Sequence, residues 1–290
     1  MNTKEIPFTF VCQGAPLIGI IHLPEQPSHR GVLTIVPGGP QYRAGVGRQL
    51  LYMARNLAEK GIPVMRFDHR GLGDGGGEYR GFQHIGDDIN AAIDAFMEKV
   101  PALNEIILWG GCDAASAAFL HGPSNAKVSG MILGNPWVHN ENTHAKAARS
   151  YYLKRIKDKA FWLKLFKMRL NPFQALYSAV KTQNTGQQNH TQNKQEKPYQ
   201  QRMRDEAQNF KGRILLLMSG QSIFSREFDE LIAASPQWSE AINRPGVTRV
   251  DFREANQNFS NLDAREKLIN TAAEWLEDWQ KENELPSTKT

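Results

Sequence analysis

The stretch Ile106–Ser116 constrains the fold of this chain most strongly, because an apolar run ends there in Gly-Gly-Cys and passes directly into small, helix-favouring residues. This pattern predicts a strand that turns sharply into a helix, with Cys112 at the apex. A residue on such a turn has strained backbone angles, so the positions two before and two after it must be small, as Gly110 and Ala114 are. The apex side chain is a candidate nucleophile, and a buried structural cysteine is the alternative.

Strands and helices alternate on both sides of this turn. A continuous apolar strand stops at a Pro-Gly-Gly-Pro turn after residue 36, and the next strand enters Asp68-His69-Arg70-Gly71-Leu72-Gly73. The alternation predicts an α/β fold, with a mostly parallel sheet covered by helices on both faces. The expected elements are an antiparallel hairpin over 8–13 and 17–23, strands over 31–36, 63–67, 128–133, 213–218 and 248–252, and helices over 47–60, 85–100 and 262–281.

The alternation stops between about residues 137 and 209. Amphipathic helical segments around 145–170 are followed by a Gln/Asn-rich tract over 182–194 that has no apolar side chains to bury. We therefore expect a core with its first part over 1–136, a helical cap over 137–209 that contains a flexible tract, and the second part of the core over 210–290.

Composition and charge limit the compartment in which we expect the protein and the partners that it could contact. No apolar run approaches the roughly 18 residues of a membrane span, and the N-terminus lacks a secretory pattern. The only two cysteines, Cys12 and Cys112, do not suggest a disulfide framework, so we expect a reducing cytoplasm, with Cys12 in the core. Much of the net charge of +5 comes from residues 149–169. That segment could contact nucleic acid, anionic lipid or an acidic substrate, but a solvated face of the cap is the interpretation we favour, with no nucleic-acid partner.

The order of these motifs resembles the α/β-hydrolase superfamily. More narrowly, four segments resemble the exosortase A-associated hydrolase 1 family: Gly38-Gly39-Pro40-Gln41-Tyr42-Arg43, Phe67-Asp68-His69-Arg70-Gly71-Leu72-Gly73-Asp74, Trp109-Gly110-Gly111-Cys112-Asp113-Ala114-Ala115-Ser116 and Asn135-Pro136-Trp137-Val138. The resemblance covers nearly the whole chain. It implies a helical cap and a presumed hydrolase linked to exopolysaccharide synthesis and PEP-CTERM protein sorting.

The residues expected to assist Cys112 depart from that family. The resemblance implies an aspartate at the position of Ser222 and a histidine at the position of Gln257. The last histidine of the chain is His190, inside the predicted cap, so the final sheet loop carries no imidazole. A glutamine cannot accept a proton at physiological pH, and loss of a general base typically costs about 10²–10⁴ in rate.

Several other groups could in principle assist Cys112 or replace the missing imidazole. The backbone N–H groups of Asp113 and Gly39 are candidates for an oxyanion hole. For His69, His84, His139 and His144 we expect surface or hydrogen-bonded structural roles, and for Glu227 and Asp229 solvated positions on a helix.

Two functional hypotheses follow. One is a cysteine hydrolase acting on an ester, thioester or amide, with an acyl or glycan-linked substrate. The other is a catalytically inactive α/β-hydrolase-fold protein that binds a small-molecule ligand or a partner in the same pocket. We expect no cofactor and no metal, because the chain lacks the G-x-G-x-x-G and P-loop patterns and its histidines do not fall at metal-ligand spacings. The oligomeric state stays open.

Overall fold

The computed structural model describes residues 2–39, 41–139 and 197–284. Its strands form one sheet in the order β1-β2-β4-β3-β5-β6-β7-β8. Their bounds are β1 Thr3–Cys12, β2 Ala15–Pro24, β3 Arg30–Ile35, β4 Val64–Asp68, β5 Glu105–Gly111, β6 Val128–Gly134, β7 Arg213–Ser219 and β8 Val247–Phe252. The first hairpin and its pairing with β4 are antiparallel, and every other pairing is parallel. The expected mostly parallel sheet is confirmed.

Helices cover both faces of the sheet, also as expected. They are α1 Gln49–Glu59, α2 Gly86–Lys99, α3 Asp113–His121, α4 Tyr199–Asn209, α5 Ile223–Ala234, α6 Pro236–Asn243 and α7 Leu262–Glu284, with short 3-10 turns at Val46–Arg48 and Phe82–His84. Residues from α1 and α7 pack on one face, and residues from α2 to α6 pack on the other. Each face therefore has its own apolar layer, and burial of these layers is the main stabilising contribution to the fold.

Two helices extend the expected pattern. The helix α4 lies within the range assigned to the cap, 137–209, but Met203 and Ala207 are buried in the core layer and α4 packs against α3 and α6. The helix α6 was not expected at all. Ser235 accepts a hydrogen bond from the N–H of Trp238, and Pro236 occupies the first helical turn. The proposed amphipathic cap helices and the Gln/Asn-rich tract lie outside the described residues.

The carboxyl ends of β3 to β8 meet at one edge of the sheet, because these strands run parallel. The loops that follow β3, β5, β7 and β8 carry the Gly38-Gly39 turn, Cys112, Ser222 and Gln257, so the topology brings the candidate residues to the same edge. In the described part of the chain, no helix combines the length and the apolar character needed to cross a membrane.

Candidate functional site

The turn between β5 and α3 has the strained geometry expected of Cys112. Its φ is 58° and its ψ is −124°, a conformation that residues other than glycine rarely adopt. A Cβ on Gly110 would overlap the backbone oxygen of Ala114, so only glycine fits at that position. Cys112 is half-buried and lines a cavity above the sheet. The side chain is therefore at the apex of the turn and not packed in the core.

Gln257 and Ser222 lie in series beside Cys112. The hydroxyl of Ser222 donates to Gln257 Oε1, and the side chain of Gln257 lies next to the Cys112 thiol, where it lowers the pKa of that thiol. Ser222 also accepts hydrogen bonds from the N–H groups of Phe224 and Ser225, because it is the N-cap of α5. With Oε1 used as an acceptor, the amide of Gln257 faces the sulfur as a donor.

Asn135 fixes the relative position of these loops, a role that sequence reasoning did not assign to it. Its Nδ2 donates to the backbone oxygen of Gln257 at 2.9 Å. Its Oδ1 accepts from the backbone N–H of Ser219 at 2.8 Å and from the hydroxyl of Ser225 at 2.6 Å. The side chain is almost fully buried. In the sequence, Asn135 was notable only as part of the Asn135-Pro136-Trp137-Val138 segment that resembles the family.

The electrostatics of the site disfavour a thiolate. Burial, and to a smaller extent the nearby Asp113 carboxylate, raise the pKa of Cys112 to about 12, although the Asp113 N–H and the Gln257 side chain act in the opposite direction. A thiolate is the nucleophilic form of cysteine. At neutral pH this thiol is therefore almost completely protonated.

The two candidate oxyanion donors lie in different environments. The N–H of Asp113 faces the Cys112 sulfur, while Gly39 lines the same cavity with a φ of 93°. The N–H of Gly38, the residue before Gly39, donates to both oxygens of the Asp113 carboxylate, at 3.2 and 3.0 Å. A carboxylate therefore lies against the turn that was expected to stabilise negative charge.

The Asp-His-Arg motif stabilises the loops around the cavity. Asp68 is fully buried and accepts hydrogen bonds from the backbone and guanidinium of Arg43 and from the N–H of Asp74. Arg70 in turn donates to the buried carboxylate of Asp88. These contacts join the loops after β3 and β4, both of which contribute to the cavity wall.

In the described part of the chain, neither His69 nor His84 occupies the place of Gln257 beside the Cys112 thiol. His69 is buried, donates from Nε2 to the oxygen of Val36 at 3.0 Å, and stacks on Tyr79. His84 is exposed at the end of a 3-10 turn, and His144 lies outside the described residues.

One expectation about the acidic residues is wrong. Glu227 was expected to be solvated, yet its side chain is fully buried and accepts a hydrogen bond from His139 Nδ1 at 3.2 Å. The reason is that the face of α5 carrying Glu227 packs toward the segment after β6, a contact between residues far apart in the chain. Asp229 is half exposed and pairs with Arg249.

The cavity has a volume of about 760 Å³ and is lined mainly by apolar and amide side chains. Its wall includes Cys112, Gln257 and Trp137, together with the Gly38-Gly39 turn. A site of this size accommodates a small organic molecule. Among the described residues, no three His, Cys, Asp or Glu side chains lie together as a metal site would require.

A family model described as serine aminopeptidase, S33, matches residues 27–221. The chain belongs to this family. The matched range includes Cys112 and ends just before Ser222, so Ser222 and Gln257 lie beyond it. No curated protein matches the chain.

Solved structures with the same fold include an esterase from Pyrococcus furiosus, with 16% identity and a TM-score of 0.65 over 95% of this chain and 91% of the other. An acylaminoacyl peptidase from Pyrococcus horikoshii has 16% identity and a TM-score of 0.62 over 96% of this chain and 41% of its own. Est1E from Butyrivibrio proteoclasticus has 13% identity and a TM-score of 0.57 over 94% and 98%. At these identities the likeness shows the α/β-hydrolase fold.

Proposed function

We propose that this protein binds a small-molecule ligand in the Cys112 cavity without hydrolysing acyl compounds at an enzymatic rate. The observation that carries the proposal is the series Ser222–Gln257–Cys112, in which an amide and a hydroxyl take the places that a base and its orienting acid would need. None of these three groups accepts a proton near pH 7. The cavity volume and its apolar lining support binding.

The proposal includes the biological process in which the protein acts and the compartment in which it lies. The sequence resemblance to the exosortase A-associated hydrolase 1 family supports a place in exopolysaccharide synthesis or PEP-CTERM protein sorting. Both cysteines are free thiols, which is compatible with the cytoplasm.

A cysteine hydrolase is the second candidate, because the strained apex conformation of Cys112 is the one that a nucleophile at this turn requires. A base would then have to come from another part of the chain. The pair of His139 and the buried Glu227 carboxylate is the observation that favours this, since a carboxylate orients an imidazole in many catalytic sites.

Hydrolysis of p-nitrophenyl acetate and p-nitrophenyl butyrate separates the two candidates. We expect the wild type to match Cys112→Ala and His139→Gln. We expect the double variant Ser222→Asp/Gln257→His to gain about 10²-fold or more, because it supplies an acid and a base in contact with the thiol. Aspartate is also a good N-cap, so α5 keeps its first turn.

The matched control is Asn258→His, which adds an imidazole one residue further along the same loop. Wild-type turnover that exceeds Cys112→Ala and falls with His139→Gln would contradict the binding proposal and favour the hydrolase. Turnover lost in Cys112→Ala but kept in His139→Gln would contradict it as well.

A further inference from the structure

Aromatic rings form part of the wall of the cavity. Five of the residues that line it are aromatic: Tyr79, Phe82, Trp109, Trp137 and Phe259. Trp137 is supported from outside the cavity by Phe224, with ring centroids 4.4 Å apart. The faces of such rings attract cations, most strongly when the cation is removed from water.

The described residues that line this wall include no basic side chain, and the nearest imidazoles lie behind it, with His69 stacked on Tyr79 and His139 against Trp137. None of those that line the cavity is a lysine, an arginine or a histidine. The ionisable side chains present are Cys112, Asp113 and Tyr79. A bound carboxylate or phosphate would therefore have no side-chain counter-ion among these residues, and desolvation of an unpaired anion is costly.

Asp113 brings a carboxylate to the aromatic wall. Both of its oxygens accept from the Gly38 N–H, and a Cβ added at Gly38 would overlap both Asp113 Oδ2 and the Tyr79 hydroxyl oxygen. The carboxylate thus lies beside the Tyr79 hydroxyl and the Cys112 thiol, with backbone donors but no cationic side chain among its hydrogen-bond partners. Burial raises the pKa of Asp113, although the Gly38 N–H and the nearby His69 lower it; burial and, to a smaller extent, the Asp113 charge raise the pKa values of Cys112 and Tyr79.

We propose that the cavity selects an organic cation, an apolar body that carries a protonated amine, with Asp113 as the residue that determines this specificity. The inference rests on the proposed binding function and names the class of ligand. The ammonium group pairs with the Asp113 carboxylate and lies against the aromatic rings, while the apolar body fills the rest of the cavity. An anion is disfavoured by the same carboxylate.

Three ligands of similar size and different charge test the proposal: 4-phenylbutylamine, 4-phenylbutan-1-ol and 4-phenylbutyrate. Their affinities for the full-length protein can be measured by calorimetry at pH 7, where the amine is protonated and the acid is ionised. We expect the amine to bind about tenfold or more tightly than the alcohol, and the carboxylate to bind most weakly.

Asp113→Asn removes the charge and keeps an oxygen that can accept from Gly38, and we expect it to lower the amine affinity to that of the alcohol. Asp94→Asn is the control, because Asp94 is an exposed acid of α2 that pairs with Lys127 at 2.8 Å and does not line the cavity. Thermal unfolding of both variants establishes that they are folded.

Equal affinity for the three ligands, tighter binding of the carboxylate, or no binding of the amine would overturn the inference. So would equal effects of Asp113→Asn and Asp94→Asn, which is the result expected if Asp113 serves only to fix the first turn of α3. These outcomes do not depend on turnover, so failure of this inference is distinguishable from hydrolysis by the wild type.

Discussion

The positive φ of Cys112 is maintained by its surroundings, because cysteine has no preference for that conformation. Such a backbone costs on the order of 1–3 kcal/mol and persists only where neighbouring contacts enforce it. Here the N–H of Cys112 donates to the oxygen of Gly134 at 2.8 Å, and its own oxygen accepts from the N–H of Trp137 at 3.2 Å. The turn is therefore held between β6 and the segment that follows it.

The small residues around the turn give a stability prediction. Gly110→Ala should lower the free energy of unfolding by about 1–3 kcal/mol, because the new Cβ overlaps the backbone of Ala114 and Ala115. Gly111→Ala is a matched control on the next residue, where the nearest atom to a new Cβ is 4.0 Å away, and we expect a change within about 0.5 kcal/mol. Urea denaturation of both variants measures the difference. Equal losses would mean that the overlap at Gly110 is relieved by movement of α3.

The candidate residues of this turn could be predicted from the sequence, because the turn is local. Gly110, Cys112 and Ala114 lie within five positions of one another, and steric demand alone relates them. The carboxylate contact of Asp113 with Gly38 could not be predicted, since the two residues are 75 positions apart. Nothing in the local pattern indicates on which side of the turn the carboxylate lies.

Among the strands, the pairing of β2 with β4 buries a charged cluster beside the apolar core. Arg66 Nε donates to His22 Nε2 at 2.9 Å, and Glu5 lies near the other ring nitrogen. Burial and the neighbouring guanidinium lower the pKa of His22 to about 4, and burial lowers that of Arg66 to about 10. His22 is therefore an uncharged acceptor in the folded protein at neutral pH.

This cluster predicts a stability loss on mild acidification. An unfolded histidine has a pKa of about 6.5, so between pH 6.5 and 4 the unfolded chain binds a proton that the folded protein does not. The contribution of uncharged His22 to the free energy of unfolding is fully present above pH 6.5. As the pH falls toward 4, about 3 kcal/mol of this stabilisation is lost. Urea unfolding across this range should show a steeper pH dependence in the wild type than in His22→Gln.

His29→Gln, a change in the loop before β3, is the control for that series. The free energy of unfolding of this variant should depend on pH as steeply as that of the wild type. If the free energy of unfolding of His22→Gln depends on pH as steeply as that of the wild type, the loss of stability in acid arises elsewhere in the molecule.

Helices illustrate which elements the sequence determines. The helices α1, α2 and α7 begin and end close to their expected bounds, because each has a long apolar stripe with helical periodicity. The helix α6 is only eight residues long and was missed, although Ser235 followed by Pro236 is a recognisable helix start. Short helices between strands carry too few apolar positions for periodicity to reveal them.

At the scale of the whole molecule, the strand succession predicted the sheet and its two covered faces, and that part of the account is confirmed. The contacts that define the chemistry join residues that are distant in the chain. Asn135 and Gln257 are 122 positions apart, and His139 and Glu227 are 88 positions apart. Such pairs depend on the packing of several loops at one edge of the sheet, so the buried state of Glu227 could not be inferred from its position on an amphipathic helix.

Among the described residues, no group in the Cys112 site ionises the thiol near neutral pH. The rate at which iodoacetamide alkylates Cys112 between pH 6 and 10 measures this property. Mass spectrometry of the Cys112 peptide separates this thiol from Cys12. We expect slow labelling at pH 6 and a rate that rises about tenfold per pH unit without a plateau. We also expect faster labelling at pH 7 in Ser222→Asp/Gln257→His. Rapid labelling of the wild type at pH 6, or a plateau with a midpoint at or below about 8.5, would contradict it.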